Sequence, residues 1–102
     1  MYILNPKLPD EDRKIEVDFS TEMAPGTTIS TASVTAVVYS GVHATPQSIV
    51  SGASTISGTR VTQKIIDGVE GTTYLLTYNI TTSDSQVLQK QAFLTISPSI
   101  AF

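Results

Sequence analysis

Residues 71–82, Gly-Thr-Thr-Tyr-Leu-Leu-Thr-Tyr-Asn-Ile-Thr-Thr, run through Ser83-Asp84-Ser85-Gln86 into residues 87–96, Val-Leu-Gln-Lys-Gln-Ala-Phe-Leu-Thr-Ile. The period of two on either side of a short polar run predicts two antiparallel strands closed by a turn. On the first strand Tyr74, Leu76, Tyr78 and Ile80 share one face. On the second they are answered by Leu88, Ala92, Leu94 and Ile96 or, one register away, by Val87 and Phe93; the period alone admits both sets. Just upstream lies the bend Asp67-Gly68-Val69-Glu70-Gly71. A tyrosine placed directly after such a bend closes a sandwich corner when its hydroxyl bonds back to the upstream backbone. Gly71 and Tyr74 are therefore expected to form the structural corner of a β-sandwich, and residues 71–96 its closing hairpin.

The remaining elements follow outward from that hairpin. Ile15, Val17 and Phe19 alternate with Lys14, Glu16 and Asp18, which predicts a half-buried strand ended by Glu22-Met23-Ala24-Pro25-Gly26. Ile29 to Ser40 reads as a second strand with Ala32, Val34, Ala36 and Val38 facing inward, and Val37 and Tyr39 available to a neighbour. Val42 to Ser48 reads as a loop around Pro46, followed by a strand from Ile49 to Ile56 that Gly52 interrupts, a sign of a bulge or an edge. Ser57-Gly58 is expected as a two-residue hairpin turn into Arg60 to Ile66. Turn signals at about every 8–12 residues and no helix-period segment longer than a turn or two point to an all-β, Ig-like or fibronectin-III-like sandwich. About six to seven antiparallel strands are expected, in a sandwich spanning 13–97. Residues 1–12, with Pro6, Pro9 and Asp10-Glu11-Asp12, read as an extended N-terminal arm, and 98–102 as a C-terminal tail beyond the last strand.

The totals limit what such a domain does. At 102 residues the chain is one domain by length. A domain of that size buries roughly 60% or a little more of its unfolded surface, enough for one core but not for a deep pocket besides. Only 15% of residues are charged, while there are 15 Thr and 12 Ser, so the surface is expected to be rich in hydroxyls. With no cysteine there is no disulfide framework, thiolate nucleophile or cysteine-bound metal. The net charge is −3, and Lys7, Arg13, Lys14, Arg60, Lys64 and Lys90 are mostly scattered, which argues against a nucleic-acid partner. The start of the chain has too short an apolar run for a signal peptide, and nothing approaches the roughly 18 apolar residues of a membrane span. No membrane partner is expected, and the protein is expected to be made in the cytoplasm.

Chemistry-bearing residues are few. His43 is the single histidine, with no carboxylate at metal spacing, and reads as an exposed loop residue; a serine triad lacks its nucleophile-elbow pattern. Asp10-Glu11-Asp12 with Asp67 or Glu70 lacks the glycine-spaced ligands of a calcium loop and reads as a solvated acidic run. No catalytic residue, cofactor or metal is therefore expected, and the chain reads as non-enzymatic. Tyr39 and Tyr78 could form an aromatic binding strip or simply pack across strands. The strongest functional signal is at the two ends. Tyr2, Ile3 and Leu4, and Ile100 and Phe102, put apolar groups on terminal segments of a domain that already has a core. They either pad the sandwich edges or reach out to a partner's sheet edge.

Asp10 to Phe19, Gly26-Thr27-Thr28-Ile29, Gly68-Val69-Glu70-Gly71-Thr72-Thr73-Tyr74-Leu75-Leu76 and Ile80-Thr81-Thr82-Ser83-Asp84 together resemble the small Ig-like structural proteins of tailed bacteriophages. The likeness spans residues 10–96, although that family often carries a tryptophan near the end of its first strand and this chain has none. The resemblance implies a virion protein, first of all a capsid decoration or cement protein that binds the assembled shell through surface complementarity and its arms. Its partners would be the major capsid protein or other virion proteins, with a homo-oligomer also compatible. The alternatives are a head-tail connector, neck or tail component, or a receptor- or glycan-binding adhesin domain.

Overall fold

The computed structural model describes residues 2–4, 7–9 and 11–97. Its strands are β1 (Tyr2–Ile3), β2 (Arg13–Asp18), β3 (Ile29–Ser40), β4 (Val50–Ser57), β5 (Arg60–Ile65), β6 (Thr73–Thr82) and β7 (Val87–Thr95). They form a four-stranded sheet in the order β1-β7-β6-β3 and a three-stranded sheet in the order β2-β5-β4. Every pairing is antiparallel except that of β1, which lies parallel to β7. Strands β2, β5 and β4 thus occupy the places of B, E and D in an immunoglobulin sandwich, and β3, β6 and β7 those of C, F and G. The chain is an all-β sandwich.

The core lies between the sheets, and the register of the closing hairpin decides which residues reach it. Tyr74 stands opposite Leu94, Leu76 opposite Ala92 and Ile80 opposite Leu88. The even-numbered set is therefore internal, while Val87 is exposed and Phe93 lies on the outer face. Phe19, Ile49, Val61, Ile65, Tyr74, Leu76, Tyr78, Leu94 and Ile96 are fully buried. Each such side chain contributes roughly 1.5–3 kcal/mol by its removal from water. Tyr78 also joins the two sheets by a polar contact, its hydroxyl donating to the Ile15 carbonyl at 3.0 Å. Burial pushes that phenol well above its ordinary pKa, so it remains a donor at all physiological pH.

Two local expectations move by a residue or so. The β4–β5 turn is Gly58-Thr59, since Ser57 pairs with Arg60; Gly58 takes φ +61° as the first central residue. Ile49 does not start β4. It closes a 3-10 turn, Pro46–Ile49, and fills the core. The interruption at Gly52 is a shift of register between Ser51 and Thr55, with Gly52 at φ +71°. Gln63, buried on the inner face of β5, occupies that gap. Its amide donates to the Ser51 carbonyl at 2.9 Å and the Gly52 carbonyl at 3.2 Å, and its oxygen accepts from Ser54 Oγ at 2.9 Å.

Candidate functional site

The corner before β6 is built around Tyr74. Its hydroxyl accepts the Val69 N–H at 3.0 Å and lies 2.6 Å from His43 Nδ1. Burial raises its pKa, opposed by the Val69 N–H. His43 is half-buried, with its ring edge-on to Tyr74 at 5.7 Å, so it is a corner residue rather than the exposed loop residue expected. With the hydroxyl accepting from Val69, its own proton is available to Nδ1. Gly71 donates to the Ile96 carbonyl at 2.9 Å, tying the bend to the end of β7. Gly68, at φ +107°, passes so close to Ile96 that a Cβ would stand 2.7 Å from its side chain. Asp67 accepts a positive φ of 53° beside it.

Lys7 meets the same corner. Fully buried, its ammonium donates to the carbonyls of Asp67 at 2.6 Å, Leu8 at 2.8 Å and Pro9 at 3.3 Å. Burial lowers its pKa, and the nearby charges of Glu11, Asp12 and Asp67 oppose that shift. Nothing in the sequence distinguishes this lysine from the exposed ones, because its partners are backbone carbonyls, two beside it in the chain and one from a loop 60 residues away. Of the acidic run, Asp10 lies outside the described residues, and Glu11 and Asp12 are engaged by the chain itself. Glu11 accepts from Leu8 N at 2.8 Å and pairs with Arg13 at 3.3 Å, and Asp12 pairs with Lys64 at 3.8 Å. Among the described residues no group of three or more His, Cys, Asp or Glu could hold a metal, and no helix is long and apolar enough to cross a membrane.

The first residues are drawn onto the domain's own sheet. Tyr2 pairs with Ala92 and Ile3 with Phe93, Leu4 N donates to the Phe93 carbonyl and Lys7 N to the Thr95 carbonyl, both at 2.9 Å. Main-chain bonds of this kind, together with the Lys7 anchor, make an edge strand of a segment whose composition suggested an arm. Ile100 and Phe102, named with Tyr2, Ile3 and Leu4 as candidate contacts, lie outside the described residues. Tyr39 and Tyr78 do not form one strip. Tyr78 is in the core, whereas Tyr39 is 65% exposed on the opposite side of the sheet, its ring 4.5 Å from that of Phe93.

That outer face of the four-stranded sheet is the distinctive surface. Its outward positions are Thr31, Ser33, Thr35, Val37 and Tyr39 on β3, Thr73, Leu75, Thr77, Asn79 and Thr81 on β6, and Val87, Gln89, Gln91, Phe93 and Thr95 on β7. None carries a charge. Val37, Leu75 and Phe93 stand in one cross-strand row, with Tyr39 beside them, and make an apolar end. Gln91 with Thr77, Gln89 with Asn79, and Thr73 with Thr95 supply paired amides and hydroxyls over the rest. The outer face of the other sheet is the reverse, with Lys14, Glu16, Asp18, Arg60 and Lys64 exposed along β2 and β5. Protein interfaces are depleted of charge at their centres and enriched in aromatic side chains, and the uncharged face has that composition.

The model of a known family, the podophage GP4 fiber-tail adaptor protein gp77, matches residues 7–95. The chain belongs to that family and is a structural protein of the phage virion. A search of curated proteins finds no match. The family match agrees better with the tail alternative raised by the sequence than with capsid decoration.

Proposed function

We propose that this member of the fiber-tail adaptor family is a non-enzymatic tail component that seats other virion proteins on the uncharged outer face of its β1-β7-β6-β3 sheet. The family match supports the tail rather than the shell as its place. The composition of the face carries the mode of attachment, because a sheet surface without charge is covered at no cost in unpaired ions. β6 has 10 residues. At about 3.3 Å per residue and about 4.8 Å between strands, the face measures roughly 500 Å². This is somewhat below the roughly 800 Å² per partner of a standard interface, so one contact is modest and repetition around a symmetric tail supplies the avidity.

Tyr2 and Ile3 belong to this reading as the strand that widens the sheet, with Leu4 packed beside them against the core, and Ile100 and Phe102 are proposed as further apolar contacts. Gly71 and Tyr74 are its scaffold, holding the β6 end of the face against the Asp67–Gly71 bend. The test is the copy number of the chain in purified particles, by quantitative mass spectrometry against the major capsid protein. A tail component that closes a ring is expected in a small fixed number of copies, about six to twelve. A count on the order of hundreds contradicts the tail reading and restores shell decoration.

A further inference from the structure

An adaptor joins two bodies, and the uncharged face is one surface. A second surface lies at the free edge of β3. The Gln47 side chain reaches this edge from the 3-10 turn, accepting the Ala36 N–H at 2.8 Å through Oε1 and donating from Nε2 to the Val34 carbonyl at 3.0 Å. A primary amide that takes both an N–H and a C=O from one strand does what a peptide unit of a neighbouring strand does. These bonds also reveal the phase of β3, since strand residues alternate the side to which they turn their main-chain groups. Even-numbered residues face the edge and odd-numbered ones pair with β6. Beyond Gln47 the row continues with the N–H of Val34 and both main-chain groups of Ala32, for which the described residues offer no hydrogen-bond partner. Next to them, between β3 and β4, runs a groove of about 300 Å³ with an uncharged lining, in which Ala32, Ser33, Gly52 and Ala53 are joined by larger side chains such as Gln47 and Gln63.

The geometry points to an extended, uncharged segment of a partner virion protein that adds to β3 at Ala32–Val34 and lies along this groove, with Gln47 marking where the added strand ends. The occupant is a single strand rather than the sheet edge of a second copy. Gln47 obstructs the C-terminal half of β3, and β4, the other free edge beside the groove, is broken by its shift of register between Ser51 and Thr55. Edges interrupted in these ways resist pairing with another folded sheet but leave a short stretch for a thin segment. Side chains of the segment that point into the groove are uncharged, since its lining at Ala32, Gly52 and Ala53 leaves open space but offers no ionic partner.

The virion reading enters only in saying where the partner is found. The test is amide hydrogen exchange, followed residue by residue in β3, on the isolated chain and on the chain within intact particles. In the isolated chain Ala36 exchanges slowly, shielded by Gln47, and Ala32 and Val34 exchange fast. In particles Ala32 and Val34 slow by at least tenfold. Equal exchange at these two amides in both samples overturns the proposal, whereas absence of the chain from particles contradicts the function proposed above instead. As a second measurement, Ala32→Pro removes the edge-facing N–H at a position where an edge strand tolerates proline. The expected result is a domain with unchanged circular dichroism that loads onto particles at least tenfold less. Loading equal to the unsubstituted chain overturns the proposal.

Discussion

The two outer faces of this sandwich enclose one core, yet they carry opposite chemistry. On the β2-β5-β4 side Arg60 lies 3.7 Å from both Glu16 and Asp18, and Lys64 lies 3.8 Å from Asp12. On the β1-β7-β6-β3 side the outward positions of β3, β6 and β7 hold only hydroxyls, amides and apolar groups. Both patterns keep the same inner alternation, so folding alone does not choose between them. A solvated face gains solubility from mixed charges, while a face that is to be covered loses free energy for every charge it must strip of water. On the function proposed above, the uncharged side is the one a partner covers.

Placing a charge on the uncharged face is the most damaging change to the account's function. Val37→Asp, at a side chain already 50% exposed, leaves stability within about 0.5 kcal/mol but lowers loading onto particles by at least about tenfold, the equivalent of roughly 1.4 kcal/mol. Loading measured by mass spectrometry, with the melting temperature as control, checks it; unchanged loading breaks the comparison. Tyr74→Phe has the next largest effect, and on stability instead. It strips the Val69 N–H and the half-buried His43 of their shared partner, and losing these bonds costs about 0.5–1.5 kcal/mol each in a urea titration. A neutral result would mean the corner does not brace the face.

Arg60→Ala sharpens the contrast from the other side. Exposed ion pairs of this length contribute little, and the substitution leaves both melting temperature and particle loading as they were. A fall in loading would place a contact on the charged face. The smallest effect is with acid. Glu11 is held below its ordinary pKa first by the Leu8 N–H, Asp18 by the Ser20 N–H and the Thr59 hydroxyl, and Glu22 by the Thr21 hydroxyl and Lys90. The unfolded chain binds protons at these groups more readily than the folded one, so their stabilisation is complete above the ordinary values of 4.5 and 3.8 and is lost as pH falls through the lower folded ones. Melting temperature should hold steady from about pH 7 to 5 and decline gently below about 4.5. A melting temperature that rises on acidification contradicts this linkage.

Alternation made most of the fold legible. Ile15, Val17 and Phe19, and Val34 and Ala36, are buried as their period predicts, and β3 has the bounds read from the sequence. The register of the closing hairpin was open because Val87 and Phe93 are as apolar as Leu88 and Leu94; only pairing with β6 decides it. Polar residues that serve the interior stayed hidden. Gln63, Gln47, His43 and Lys7 look like surface residues in sequence, and each owes its place to partners brought near by the tertiary fold. The uncharged face was half visible in Val37 and Tyr39. Joining them to Leu75 and Phe93 required knowing that β3, β6 and β7 are neighbours in that order.

Side-chain footprinting of the chain inside intact particles tests the contrast between the faces most directly. Hydroxyl radicals report on Tyr39 and an amine reagent on Lys14 and Lys64, each compared with the isolated chain. The account predicts that Tyr39, 65% exposed in the isolated chain, becomes protected in the particle while both lysines react as before. A Tyr39 that labels equally in both samples, or lysines protected in its place, would contradict it.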